Sequence, residues 1–365
     1  MKSYNKTIFI LGMSIFISTI LYAVPPKDNF ILINGSKLTA AKVLYQSGEY
    51  KKNPAIKKIL KDADKVLAGE PYSIMDKEQI PPSGSKHDYC TLARYYWPNP
   101  KTADGLPYVQ KDGEVNPEIN TSSDLGNLQR LCREALPIAV AYFITSDEKY
   151  ADKGVETFKR WFVDTTTKMN PNLEYSQVIK GSNKLNYSGI IDGNQLTRVL
   201  DAVSLYSGSK AMTPEIRNGI NLWFESYLKW LNESEQGKRE RQSTNNHGTW
   251  YNQDIAAIAF FLGKTDFAKK VCEEAKSKLI DVQITAEGTQ PKELVRTRSL
   301  HYYCYNLEAL TKLAKIAQKV DVDLWNYNTP DGGGIHKALD YVTPFLAGEK
   351  NWEGKQIDKF KINSF

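Results

Sequence analysis

The stretch 213-TPEIRNGINLWFESYLKWL-231 decides how the rest of the chain is read. Thr213 suits a helix N-cap, and Pro214 suits the first helical position, where its missing N–H is no loss. Behind them Ile216, Ile220, Trp223, Tyr227 and Trp230 return at steps of four and three, the spacing of one helix face. The same period recurs at Leu125, Leu128, Leu131 and Ala135, at Val155, Phe158 and Phe162, and at Leu300, Tyr303, Leu307, Leu310 and Ala314. Residues 38–68, 194–207, 251–280 and 337–347 also read as helical, the third as two helices broken near Gly263. No comparable set of alternating strands appears, so the fold class is all-α. Helices of this kind, with no flexible linker between them, bury their stripes economically as antiparallel hairpins in one closed or nearly closed array. The absence of a strong repeat at a fixed period disfavours a regular solenoid.

Composition narrows the setting. Lys2 and Lys6 give a basic start, residues 8–22 form an apolar run, and Ala23 offers a small residue for cleavage. The run is short for a membrane span, and no cysteine near the cut would carry a lipid. Residues 1–23 therefore read as a removed export signal and 24–365 as a single domain, periplasmic or secreted and without membrane attachment. The formal charge of +6 falls to +4 without those two lysines. That is too little for a nucleic-acid partner, yet it suits an acidic substrate if the charge is focused in a cleft. Cys90, Cys132, Cys272 and Cys304 lie far apart with no CxxC, which argues against zinc and leaves buried thiols as the favoured reading over three possible pairings.

Between the helices run long polar, aromatic-rich segments, 80–120, 165–193, 236–250 and 283–300. Loops of this length in a compact domain are usually functional, and their Trp, Tyr, His and Arg content argues against disorder. Four clusters fall in or beside them: 86-KHDYCTLARYYWPNP-100, 168-KMNPNLEYSQ-177 with 189-GIID-192, 243-STNNHGTWYNQD-254, and 293-ELVRTRSLHYYCYNLEAL-310.

In order and spacing these four blocks resemble the alginate-lyase-like polysaccharide lyase superfamily over roughly residues 80 to 320, and within it the exported alginate and glucuronan lyases of gut bacteria. Any one block is a weak signal; four in register are specific. The resemblance implies an (α/α) toroid, an incomplete barrel of antiparallel helical hairpins whose long loops line a cleft. It also implies metal-independent β-elimination on a uronic-acid polymer, with no cofactor. An anionic polysaccharide is then the expected partner, and a monomer the expected state.

The chemistry accounts for the residue types. The C5 hydrogen of a 4-linked uronate is only weakly acidic beside its carboxylate. That charge must be neutralised, the C5 proton removed and a proton returned to O4. The resemblance places Asn246 and His247 beside the reacting sugar: Asn246 has amide donors for a carboxylate oxygen, and His247 can donate a hydrogen bond or accept a proton as base. Asn245 joins them as a substrate contact. Taken alone, all three equally suit a helix cap. Tyr302 matches the family's catalytic tyrosine; a free tyrosine has a pKa near 10, and Arg296 or Arg298 nearby would lower it. Arg296 stands at the carboxylate-neutralising position, one residue nearer the tyrosine than in some relatives, so Arg298 is its alternative. Where C5–H and O4 share a face, Tyr302 can serve as base and acid; where they are opposed, His247 is the better base.

His87, Tyr89, Tyr95, Tyr96 and Trp97 are expected to form an aromatic wall for sugar rings, and Tyr175 and Gln177 to add contacts from another loop. Each could instead be packing. Lys86, Arg94 and Lys180 are candidate anchors for neighbouring uronates. The run 237-GKRERQ-242 reads as a solvated basic loop, and 331-DGGGIH-336 as a turn and not a phosphate cradle. Two other functions compete. Glycoside hydrolysis needs two opposed carboxyl groups, for which Asp88, Asp192 and Asp254 are candidates without evident partners. A non-catalytic glycan-binding protein would keep the cleft but not the chemistry.

Overall fold

The structure, a computed structural model, describes residues 30–360, so the expected export signal lies outside the described residues. Its α-helices are α1 (Gly35–Gln46), α2 (Pro54–Leu67), α3 (Ser123–Thr145), α4 (Glu148–Phe162), α5 (Thr197–Leu205), α6 (Pro214–Glu233), α7 (Glu235–Arg241), α8 (Asn246–Phe261), α9 (Thr265–Ala275), α10 (Asp281–Gln283), α11 (Pro291–Leu294), α12 (Ser299–Lys319) and α13 (Ile335–Leu346). Thr213 does cap α6, accepting from the Ile216 N–H, and the stripe behind it is buried at Ile220, Trp223 and Tyr227. Trp223 packs edge-on against Phe162 of α4 at 4.8 Å between ring centroids. Residues 38–68 form two helices because Gly48 turns the chain at φ 79°, and Gly263 at φ 72° separates α8 from α9 as the sequence predicts. Backbone conformations of that hand are free of steric penalty only for glycine.

Four helices form the inner ring: α3 packs on α5, α5 on α8, and α8 on α12. Outside them α1, α2 and α4 back α3, while α6 and α9 back α8 and α13 backs α12. Among the described residues no comparable packing returns α12 to α3. The ring is an open (α/α) toroid. Helix α8 is buried on nearly every face from Gly248 to Ala259, as expected of a helix with neighbours all round.

The segments between helices are tied together by short strands. β1 (Cys90–Leu92) pairs in parallel with β4 (Tyr175–Val178), which joins the 80–120 and 165–193 segments. β2 (Tyr96–Trp97) and β3 (Val109–Gln110) form an antiparallel pair within the first segment. One expectation is corrected here. Most of the 237–242 run is not a solvated loop but the end of α7, in which Glu240 is buried at 1% exposure. Its basic neighbours face outward and hid that from the sequence. The four cysteines are free thiols; Cys132 and Cys272 are fully buried, Cys90 and Cys304 only partly.

Candidate active site

A cavity of about 980 Å³ opens inside the ring, walled by α3, α5, α8, α12 and the segments tied by β1 and β4. Its α8 wall starts from the turn that follows α7. Asn245 has extended backbone and caps α8 by accepting from the His247 N–H at 3.2 Å, so the capping role is real. The same turn places Asn245, Asn246 and His247 on the cavity. Gly248 is required there: a Cβ would lie 1.8 Å from the Ser243 carbonyl oxygen.

Two acids hold this wall. Glu293 of α11 accepts from the Asn246 backbone N–H at 2.7 Å and from its side-chain Nδ2 at 2.8 Å. Asn246 is completely buried, and among the described residues its Oδ1 has no hydrogen-bond partner. Burial raises the Glu293 carboxyl above its usual range against the opposing Asn246 bonds. Glu240 lies 2.7 Å from His247 Nδ1. Burial by itself lowers the imidazole, but the Glu240 carboxylate prevails and the net direction is up.

Opposite stands the phenol. Tyr302 of α12 donates to the Tyr95 hydroxyl at 2.7 Å, and the Arg296 guanidinium lies 3.6 Å from the Tyr302 ring centroid. Arg296 does act to lower the Tyr302 pKa, but burial, reinforced by Tyr95, outweighs it and the net direction is up. Arg296 is itself paired, through Nη2 to Asp112 Oδ1 at 2.5 Å and through Nε at 3.1 Å. Arg298 does not line the cavity; it reaches Asp358 at 2.7 Å.

Of the residues singled out in the sequence, the fold thus gathers Asn245, Asn246, His247, Arg296, Tyr302, Tyr95 and Gln177 on one cavity. Gln177 holds φ 51° and donates to Asp192 Oδ1 at 2.7 Å. His87, Tyr89, Trp97 and Tyr175 are not on it. Tyr89 is fully buried with its hydroxyl on Asp192, and His87 Nδ1 contacts the Lys168 carbonyl at 2.6 Å. Trp97 donates to the Glu114 carbonyl beneath Lys111. A polar, aromatic-rich loop does not reveal which of its rings turn inward. Of the candidate anchors, Arg94 lines the cavity, whereas Lys180 pairs with Glu118 at 2.5 Å.

Several lining residues carried no signal of their own in the sequence. His301 sits between Tyr302 and Tyr305, and burial together with Arg298 pushes it down to about 4. Arg133 and Arg198 project from α3 and α5 and, like Arg94, make no ion pair among the described residues. Glu240, Glu293 and Asp112 act from outside the recognisable blocks or at their edges. No group of three or more His, Cys, Asp and Glu that could hold a metal occurs among the described residues.

An open helical toroid that lines its cavity with an amide, an imidazole, a phenol and several guanidiniums has the architecture of a polysaccharide lyase. A family model described as alginate lyase matches residues 73–352, and the chain belongs to that family. It is similar to a crystallised alginate lyase from Bacteroides ovatus, with 36% identity, a TM-score of 0.85, and coverage of 91% of this chain and 87% of that one. Alginate lyase A1-III from Sphingomonas species A1 shares the fold at 17% identity and a TM-score of 0.55, covering 86% of this chain and 77% of that one. A histidine-to-alanine variant of A1-III complexed with tetrasaccharide matches at 16% identity and a TM-score of 0.54, covering 85% and 81%. No curated protein matches.

Proposed function

We propose that this polysaccharide lyase cleaves alginate by β-elimination inside the toroid cavity, leaving a 4,5-unsaturated uronate at the new chain end. The observation that carries the reading is the meeting of Asn246, His247, Arg296 and Tyr302 on a single cavity large enough for several sugar rings. Asn246 and Arg296 take up the charge of the reacting carboxylate. Fixed donors at the site of developing charge supply the largest share of such rate enhancements. Tyr302 carries its proton, which suits delivery to O4. His247, with Nδ1 on Glu240, has Nε2 for the C5 proton when that proton and O4 lie on opposite faces. When they share a face, Tyr302 is the base only once it has lost its proton, and the guanidinium stacked on its ring is the charge that works against the burial holding that proton in place.

Arg94, Arg133 and Arg198, which make no ion pair among the described residues, supply positive charge for neighbouring uronates. Elimination is favoured over hydrolysis by the state of the lining acids. Asp192 is occupied by Tyr89, Thr91 and Gln177, and Glu308 by Lys312 at 2.6 Å. Asp88 and Asp254 are buried and do not line the cavity. The site needs no metal for this chemistry. The mature chain works as an exported single-domain monomer.

The test is ultraviolet absorbance of the conjugated alkene during incubation with poly-mannuronate, poly-guluronate and glucuronan, with and without EDTA. Absorbance is expected to rise on alginate and to persist in EDTA. Reducing ends released without absorbance would replace elimination by hydrolysis, and neither signal would leave only a binding protein.

A further inference from the structure

Within the 236–250 segment, one buried carboxylate is committed to the imidazole. Glu240 places Oε1 2.7 Å from His247 Nδ1, while its Oε2 receives the Ser243 hydroxyl at 3.4 Å. The Ser243 N–H also bonds the Glu240 carbonyl at 3.0 Å, and the absence of a side chain at Gly248 lets this turn lie against α8. His247 is thereby fixed twice, by its backbone on Asn245 and by its ring on Glu240. A carboxylate can only accept, so the neutral imidazole must carry its proton on Nδ1 and its lone pair on Nε2.

We propose that Glu240 is a positioning residue that selects the Nδ1–H tautomer of His247, and so decides that Nε2 is the ring atom that receives the substrate proton. This rests on the reading of His247 as a base. A free imidazole favours the opposite tautomer only weakly, so a hydrogen bond of this kind is enough to set it. The charged groups acting on His247 come from three directions: Glu240 on α7, Glu293 on α11, and Arg296 from the segment before α12. The phenol of Tyr302 lines the same cavity. Glu240 is the one among them in contact with the ring.

The chain has four histidines, so nitrogen-15 imidazole spectra of the full protein can be assigned with a His247→Gln reference. In the wild type the neutral His247 signal is expected as the Nδ1–H tautomer. In Glu240→Gln, whose side chain can donate as well as accept, Nε2–H should appear and the protonation midpoint should fall by about one pH unit. The acid limb of kcat/KM should move down with it, while the plateau drops roughly ten- to a hundredfold. Glu240→Asp should restore part of both. A wild-type His247 protonated on Nε2 when neutral would overturn the proposal without any variant. So would a Glu240→Gln protein that loses stability but keeps the tautomer, the midpoint and the limb. If alginate is not cleaved at all, the function fails, yet the spectra still decide the tautomer.

Discussion

On the α11–α12 side of the cavity every arginine has an acid against it: Arg296 is clamped by Asp112 and Arg298 by Asp358. On the α3–α5 side, Arg133 and Arg198 make no ion pair among the described residues, nor does Arg94 between them and the phenols. The paired guanidiniums are fixed in place by those acids, one of them stacked on Tyr302, and spend much of their charge doing so. The unpaired ones keep more of theirs, although Arg94 also acts on the Asp192 carboxylate. The first arrangement suits a transition state, in which geometry decides the rate; the second suits a long polyanion, in which summed charge decides capture.

Four expectations follow for the two walls, the largest first. Tyr302→Phe keeps the ring and its stacking but removes the proton that leaves it, and should lower kcat by roughly 10²–10⁴-fold in alkene-release assays with the fold intact. Full activity would empty the α12 wall of its purpose. Asn246→Ala should lower kcat by about 10²–10³-fold, since the lost donor acts on developing charge. Arg198→Ala should instead raise KM by about tenfold with kcat nearly unchanged, as for uniform binding. A fall in kcat there would erase the distinction between the walls. The smallest effect is on stability. Because His247 is raised in the folded state, its protonated form stabilises the fold below the ordinary histidine value near pH 6.5, and that contribution is lost as pH rises through the raised value. The melting-temperature gap between wild type and His247→Gln should therefore be widest in mild acid and close toward alkaline pH.

The helices were legible because their apolar residues recur at helical steps, as in α6, and because glycines at 48 and 263 mark the breaks. The N-terminal turn of α8 was legible as a cap, and the cap does not keep it from the cavity: Asn245 caps the helix while Asn246 and His247 line the cavity. What stayed hidden was set by contacts between distant segments. Asp112 meets Arg296 across 184 positions, and Glu293 meets Asn246 across 47. Glu240 was masked by Lys238, Arg239 and Arg241 around it, although burial on one face of a short helix selects it from that basic run. Tyr89 misled because its polar neighbours suggested exposure, whereas its hydroxyl finds Asp192 inside the protein.

Helix α8 begins at the cavity and runs away from it for 16 residues. Its aligned peptide groups place roughly half a positive charge at that end. Unlike an imidazole or a lysine, this source cannot lose a proton, and so close to its target it is little touched by dissolved salt. The Glu293 carboxyl already takes the first N–H at that end, so the pull on an entering sugar acid is the helix's fixed charge less that of Glu293, and it strengthens when that carboxyl holds a proton.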